Sequence, residues 1–269
     1  FNNLKQKNKS IDLMSFDPNG KRLKNIKHKL FNDFFNIKNI KKYNVKSDKN
    51  LILHSHLIEH VYSPKKFLLL VNSLLDKNGY HIFSVPNLNK MILNGFSNAV
   101  NFEHPFFLDE TAIDILLKET GFKIIKKKYF KSSHSIFYLT KKSTKKIKKK
   151  YNFFSRNKKI FLNLKKKWQN DVKVLNNKIK NKKNIFIFGA HIFSQNLIFN
   201  GLNLEKIKFI IDNDIDKRNR YLYGTSLQVK SPTILRNFKK PIVVLRAGAY
   251  NNEIKNSILK NINKSTVFL

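Results

Sequence analysis

Two hydrophobic rhythms alternate along this chain. Short apolar runs such as Leu51-Ile52-Leu53, Tyr80 to Val85, Ile185 to Phe188 and Ile207 to Ile211 have the length and composition of buried strands. Between them, apolar residues recur at helical spacing: Phe67, Leu68, Val71, Leu74 and Leu75 after Pro64, then Ala112, Ile113, Leu116 and Leu117 after Asp109. Pro64 can open the first of these helices and Asn78-Gly79 can stop it, so Leu51 to Pro86 reads as one β-α-β unit. Asp109 caps the second helix, Gly121 ends it, and Phe122 to Phe130 with Ser135 to Thr140 form a closing pair of strands.

Ahead of that unit, Ile11 to Phe16 alternates into a strand that Asp17-Pro18-Asn19-Gly20 ends with a turn. Lys21 to Lys29 reads as a surface helix, and Leu30 to Phe35 as a short strand and its exit. Residues 86–107 show no clear period, and a loop of that length rich in aromatics points to function rather than disorder. The second half restarts the pattern. After Ile185 to Phe188 come Gly189-Ala190, a helix from Ile192 to Phe199, the strand Ile207 to Ile211, helices at Ser231 to Phe238 and Asn251 to Leu259, and strands at Ile242 to Leu245 and Thr266 to Leu269. Strand, turn and helix in repetition imply a parallel α/β sheet. The chain therefore divides into residues 1–140, a basic helical connector over 141–183, and a second α/β unit over 184–269.

Composition changes this picture in two ways. Cysteine is absent, which removes disulfides and thiolate metal sites and suits a reducing compartment. No apolar run approaches the roughly 20 residues that span a bilayer, so a soluble cytoplasmic protein with no membrane partner is the expectation. The net charge of +37 invites a polyanion reading, centred on Lys141 to Lys150. Only six of the 54 basic residues are Arg, however, and the lysines are spread among Asn and Ile over the whole chain. Solvated faces account for that distribution better than a nucleic-acid site does.

Candidate chemistry gathers at Asn50 to Val61, where the run Leu51-Ile52-Leu53 breaks into His54, His56, Glu59 and His60. Open α/β sheets bind ligands at the carboxyl ends of their strands. Asp17 at a strand tip suits ribose hydroxyls, with a turn-forming Asp as the alternative. Asp33 followed by Phe34 and Phe35 could line an adenine pocket, with core packing as the alternative. The segment His56-Leu57-Ile58-Glu59-His60 also matches H-x-x-E-H, which on one helix places two histidines on the same face and would make a zinc-dependent hydrolase. Pro64 argues that the helix begins too late for that.

Taken together, Phe16-Asp17-Pro18-Asn19, Asp33-Phe34-Phe35, Ser55 to Val61 with Pro64 and Phe67, Gly79 to Pro86, and Phe102-Glu103-His104 resemble a class I S-adenosylmethionine-dependent methyltransferase. Phe188-Gly189-Ala190, Ile211 to Asp214, Arg220 to Thr225 and Val229 to Pro232 resemble the carboxyl-terminal domain of the two-lobed sugar-nucleotide C-methyltransferases. The resemblance implies an incomplete Rossmann-like methyltransferase sheet followed by a second, smaller Rossmann-like α/β domain. It implies S-adenosylmethionine as cofactor, held by Asp17, Pro18, Asp33, Phe34, His54, Ser55 and His56. The implied acceptor is a carbon of a nucleotide-linked keto-deoxysugar.

Methylating carbon needs a base to remove a proton α to a carbonyl and a group to steady the enolate. His104 is the expected base, Glu103 its support, and Asn101 stands where the family pattern has Tyr. The family's first strand and glycine-rich loop should precede Ile11, where only ten residues, mostly polar, lie. An amino-terminally truncated piece with weak cofactor binding is therefore the expectation.

Overall fold

The computed structural model describes residues 11–20, 26, 28–131, 134–143 and 152–269. The expected surface helix over Lys21 to Lys29 and much of the basic run Lys141 to Lys150 lie outside the described residues.

The apolar runs are strands of three sheets. β1 (Met14–Phe16) and β2 (Lys29–Phe31) form a parallel pair. β3 (Lys49–Ser55), β4 (Leu75–Pro86), β5 (Phe122–Phe130) and β6 (Ser135–Lys142) form a mixed sheet in the order β3-β4-β6-β5. β3 and β4 run parallel and β6 is antiparallel to both β4 and β5, so the β-α-β unit and the closing strand pair are as expected. β3 is an edge strand of this sheet and β1 does not pair with it.

The second lobe is a five-stranded parallel sheet. Its strands are β7 (Ile185–Phe188), β8 (Ile207–Ile211), β9 (Val229–Lys230), β10 (Ile242–Leu245) and β11 (Val267–Phe268), in the order β11-β10-β7-β8-β9. The order runs outward from β7 in both directions, which makes the β7/β10 boundary the switch point where such sheets bind ligands.

Seven α-helices cover these sheets among the described residues: α1 (Ile37–Lys42), α2 (Pro64–Leu74), α3 (Leu88–Leu93), α4 (Glu110–Glu119), α5 (Phe154–Ile179), α6 (Ile192–Phe199) and α7 (Asn251–Asn261). α2 has proline in its first turn, buries Leu74, and packs Phe67, Leu68 and Val71 against Phe83, Val85, Ile113 and Leu117. Each such side chain contributes about 1.5 to 3 kcal/mol of transfer free energy. In α5, Leu164 packs on the first lobe while Val172, Leu175 and Ile179 join the core of the second.

Three expectations are corrected, and one helix was not expected. Asn78-Gly79 does not stop a helix in the loop before β4; it lies inside the strand, which begins directly at Leu75. Gly79 is required there because a Cβ would sit 2.8 Å from the Lys49 carbonyl oxygen, in the paired strand β3. The 86–107 stretch is not an irregular loop, since it contains α3 and a 3-10 turn at Ser97–Val100. Leu88, Met91, Ile92 and Ala99 from this stretch pack on Leu164, a partner more than sixty residues away in sequence. The Ser231 to Phe238 helix is a 3-10 segment, Pro232–Asn237. Finally, α1 was not foreseen. Asn36 caps it through a 2.9 Å bond from the Asn39 amide, but Ile40 is the only apolar residue it buries.

Candidate active site

A cleft of about 510 Å³ opens between the lobes. His56, Glu59 and His60 reach it from beyond the end of β3, and Pro86 from the end of β4. Asn101, Glu103 and His104 enter from the segment after the 3-10 turn. The second lobe supplies His191 from beyond β7 and Ala247 to Tyr250 from beyond β10. Carboxyl ends of parallel strands from both sheets thus face one space, and the second lobe contributes at its switch point.

The β3 end is shaped by its backbone. His56 adopts φ +48, an uncommon left-handed conformation for a residue with a side chain, while its N–H still donates to the Ser84 carbonyl at 3.0 Å. This kink ends the strand, and a single 3-10 turn, Ile58–His60, follows before α2 begins at Pro64. His56 and His60 therefore do not share an α-helical face, which removes the geometry that the H-x-x-E-H reading needs. His56 is instead held by Ser135 Oγ, 2.9 Å from Nε2, and by Glu59 Oε1, 3.2 Å from Nδ1.

Glu59 is 4% exposed; Oε1 has the 3.2 Å contact with His56 Nδ1, but neither carboxyl oxygen makes a well-aligned hydrogen bond. His60 Nδ1 lies 3.2 Å from the Glu103 carbonyl oxygen. Only an N–H can satisfy that acceptor, so the proton sits on Nδ1 and the Nε2 lone pair is left open in the neutral ring. The His60 and His104 rings meet edge to face with centroids 4.7 Å apart. Burial first, and the neighbouring His60 second, hold the His104 imidazole below its ordinary pKa, against the opposing pull of Glu59 and Glu103. A ring with that shift is neutral near pH 7 and offers a lone pair. Asn101 braces the segment: its Oδ1 accepts the Glu103 N–H at 3.3 Å and its Nδ2 lies 3.4 Å from Glu103 Oε2.

The structure thus brings together His56, Asn101, Glu103 and His104 of the expected site. Asp17, Pro18, Asp33, Phe34, His54 and Ser55 do not line this cleft. Asp17 Oδ1 accepts the Asn19 N–H at 2.8 Å, the turn-forming role. Asp33 Oδ2 takes the Tyr43 hydroxyl at 2.6 Å and Lys42 Nζ at 3.0 Å, and Phe34 is exposed. Ser55 Oγ pairs with Ser84 Oγ at 2.7 Å. His54 is the clearest departure from a ligand contact. Its ring turns toward the core, stacked on Phe83 and 3.0 Å from His81 Nε2. Strand alternation puts Ile52 and His54 on the α2 side of β3, so an apolar neighbour at i−2 was the available signal.

Sequence reasoning missed the second lobe's share of the cleft. His191 caps α6 through a 3.3 Å contact of Nδ1 with the Phe193 N–H. A Cβ on Gly189 would collide with the His191 ring, and Gly189 itself has φ +99, so glycine is needed to seat this histidine. Asp212, placed like a ribose-binding acid, is taken up by the protein: Oδ2 accepts the Ala190 N–H at 2.7 Å and Oδ1 the Asp214 N–H at 2.9 Å. Burial would raise its pKa, yet these bonds and Lys217 hold it below the ordinary value. Tyr250 OH meets His134 Nε2 at 3.1 Å across the lobes.

The chain is a two-lobed α/β protein with a cleft where the strand ends of both lobes meet. Two family models match the chain: one described as "Methyltransferase domain" over residues 2–127, and one described as "C-methyltransferase C-terminal domain" over residues 131–269, more than half of the chain. The chain belongs to the C-methyltransferase C-terminal domain family, and its two matched parts make it a methyltransferase.

No curated protein matches it. Among solved structures it is similar to a SAM dependent methyltransferase from Archaeoglobus fulgidus, with 16% identity, a TM-score of 0.41, and coverage of 53% of this chain and 80% of that one. An S-adenosylmethionine-dependent methyltransferase from Clostridium acetobutylicum shows 17% identity and a TM-score of 0.34, covering 44% of this chain and 66% of that one. Phosphoethanolamine N-methyltransferase 1 from Haemonchus contortus shows 9% identity and a TM-score of 0.29, covering 83% and 50%. The family assignment rests on the two family models and not on these likenesses.

Proposed function

We propose that the chain moves a methyl group from S-adenosylmethionine to a carbon next to a keto group on a nucleotide-linked deoxysugar. The observation that carries this reading is the convergence of Glu103-His104 from the first lobe with His191 and Tyr250 from the second on one cleft. Such a space suits a small two-part acceptor better than a polymer. The "C-methyltransferase" description of the family matching residues 131–269 supports carbon as the methylated atom.

In the proposed reaction His104 removes the proton α to the carbonyl, and the electron pair left behind delocalises onto the carbonyl oxygen as an enolate. That carbon then attacks the methyl group of the sulfonium. The new C–C bond forms as the C–S bond breaks, and the sulfur keeps the bonding pair in S-adenosylhomocysteine. Glu103 and Asn101 hold His104 through the short segment they brace. Of the proposed donor contacts, His56 lines the cleft, and Asp17 with Pro18, Asp33 with Phe34, and Ser55 stand outside it. His54 could contribute only through its backbone, because its ring faces the core.

The two half-reactions can be read separately. Hydrogen exchange from the acceptor's α carbon into deuterium oxide requires no methyl donor, and it should fall by at least about 100-fold in His104→Ala. With S-adenosylmethionine present, mass spectrometry should show the acceptor gaining one CH₂. Exchange at an undiminished rate in His104→Ala would refute the base, and methylation on oxygen or nitrogen would refute the carbon acceptor.

A further inference from the structure

Glu59, His60 and His104 each present one ligand atom to a common point, and these three atoms lie within 4.8 Å of one another. Glu59 is buried, its Oε1 has only the contact with His56 and its Oε2 has no partner; an orphaned buried polar atom costs roughly 1 to 3 kcal/mol unless something in the cleft satisfies it. We propose that Glu59, His60 and His104 bind a divalent transition-metal ion of the zinc, cobalt or iron(II) type.

Two imidazoles and one carboxylate form a donor set that selects such ions over magnesium or calcium, which prefer all-oxygen shells. The surroundings match what metal-bound histidines need. His60 gives its Nδ1 proton to the Glu103 carbonyl, which fixes the tautomer and leaves Nε2 open. His56, anchored by Ser135, stands 3.2 Å from Glu59 Oε1 and orients that carboxyl group from behind. The set differs from the H-x-x-E-H triplet, because His104, forty-four residues on from His60, takes the place that His56 would have in a helical motif. Three protein ligands leave a further position open to water or substrate.

Binding at His104 and proton removal by His104 exclude each other, because both use a ring lone pair. Resting on the reaction proposed above, added zinc should therefore inhibit methyl transfer and α-carbon exchange.

The test is equilibrium dialysis of the purified full chain against zinc, with metal counted by mass spectrometry, and cobalt(II) absorption as a second probe. One tightly held equivalent per chain is expected, weakened about 10-fold or more in Glu59→Gln and in His60→Ala. His191→Ala removes a cleft histidine outside the cluster and should leave binding unchanged. Glu59→Gln keeps size and shape, and its far-ultraviolet circular dichroism reports whether it is folded. X-ray absorption of the zinc-loaded wild-type chain gives a readout that needs no variant: two imidazole ligands at about 2.0 to 2.1 Å. Absence of stoichiometric binding, or binding that survives both substitutions, overturns the site. None of these measurements uses donor or acceptor, so failure of the methyl-transfer reading would leave them intact.

Discussion

His54 and His81 illustrate how one position can be read correctly as special and wrongly as to why. The two imidazoles meet at 3.0 Å, and Phe67, Phe83 and Phe122 surround the pair. Burial pushes His54 down to about 3; burial and the charge of His54 push His81 well below its ordinary value. Both rings therefore bind protons more weakly when folded than when unfolded. Their neutral forms suit the fold fully above the unfolded pKa near 6.5, and stability is lost as pH falls from there toward about 3. The loss attached to His54 extends down to about 3, and His81 adds to it in the same direction. Urea titrations at about pH 7.5 and about pH 5 should show a large drop for the wild type, and a much smaller one for the double variant His54→Leu, His81→Leu. An equal drop in both would move the acid sensitivity elsewhere. Among the cleft residues, Glu59 carries the strongest tertiary signature, yet in the sequence it is one acid in a strand-end cluster.

At the scale of elements, α5 decides how the lobes meet. Its 26 residues span about 39 Å, enough to lie against both. Trp168 Nε1 donates to the Gly95 carbonyl at 2.7 Å, and Lys167 Nζ donates to the Leu93 carbonyl at 2.7 Å. One turn further on, Asp171 takes a two-pronged bond from Arg246, at 2.8 and 2.9 Å, beyond the end of β10. The helix thus grips the segment that precedes Asn101-Glu103-His104 at one point and the switch-point loop of the second lobe at another. Trp168→Phe should cost about 1 kcal/mol in denaturant titrations for the lost hydrogen bond, and Leu175→Ala about 2 to 5 kcal/mol for the cavity. Because Trp168 also sets the position of the His104 segment, Trp168→Phe should slow α-carbon exchange while leaving overall helicity unchanged. An unaffected exchange rate would separate α5 from the site. This element was legible in outline, since Leu164, Val172, Leu175 and Ile179 keep a helical period. The residues it grips were read as irregular because α3 is only six residues long.

At the scale of the whole molecule, a net charge of +37 has to be held on two lobes that meet at the cleft. The described links between lobes include Lys131 to Glu253 at 3.0 Å and the Tyr250 to His134 hydrogen bond, both exposed and each worth about 1 kcal/mol or less. The Arg156 to Asp109 pair at 2.6 Å ties α5 to the start of α4. Like-charge repulsion acts over distances that salt shortens from roughly 20 Å at 0.02 M to roughly 6 Å at 0.3 M. The melting temperature should therefore rise with sodium chloride over that range. A fall would mean that attractive pairs outweigh repulsion. No helix among the described residues is long and apolar enough to cross a membrane.

The β-α-β unit, the closing strand pair, the long helices and the parallel second sheet were determined by the sequence itself. Each depends on local periodicity and on end signals such as Pro64, Asp109 and Gly121, which act within a few residues. Only the tertiary structure decided which chemistry-bearing residues meet. It turned His54 inward, set a buried Glu59 beside His60 and His104, and brought His191 and Tyr250 across from the other lobe. Those outcomes follow from side-chain direction at a strand end and from packing between segments more than forty residues apart, and a one-dimensional pattern carries neither.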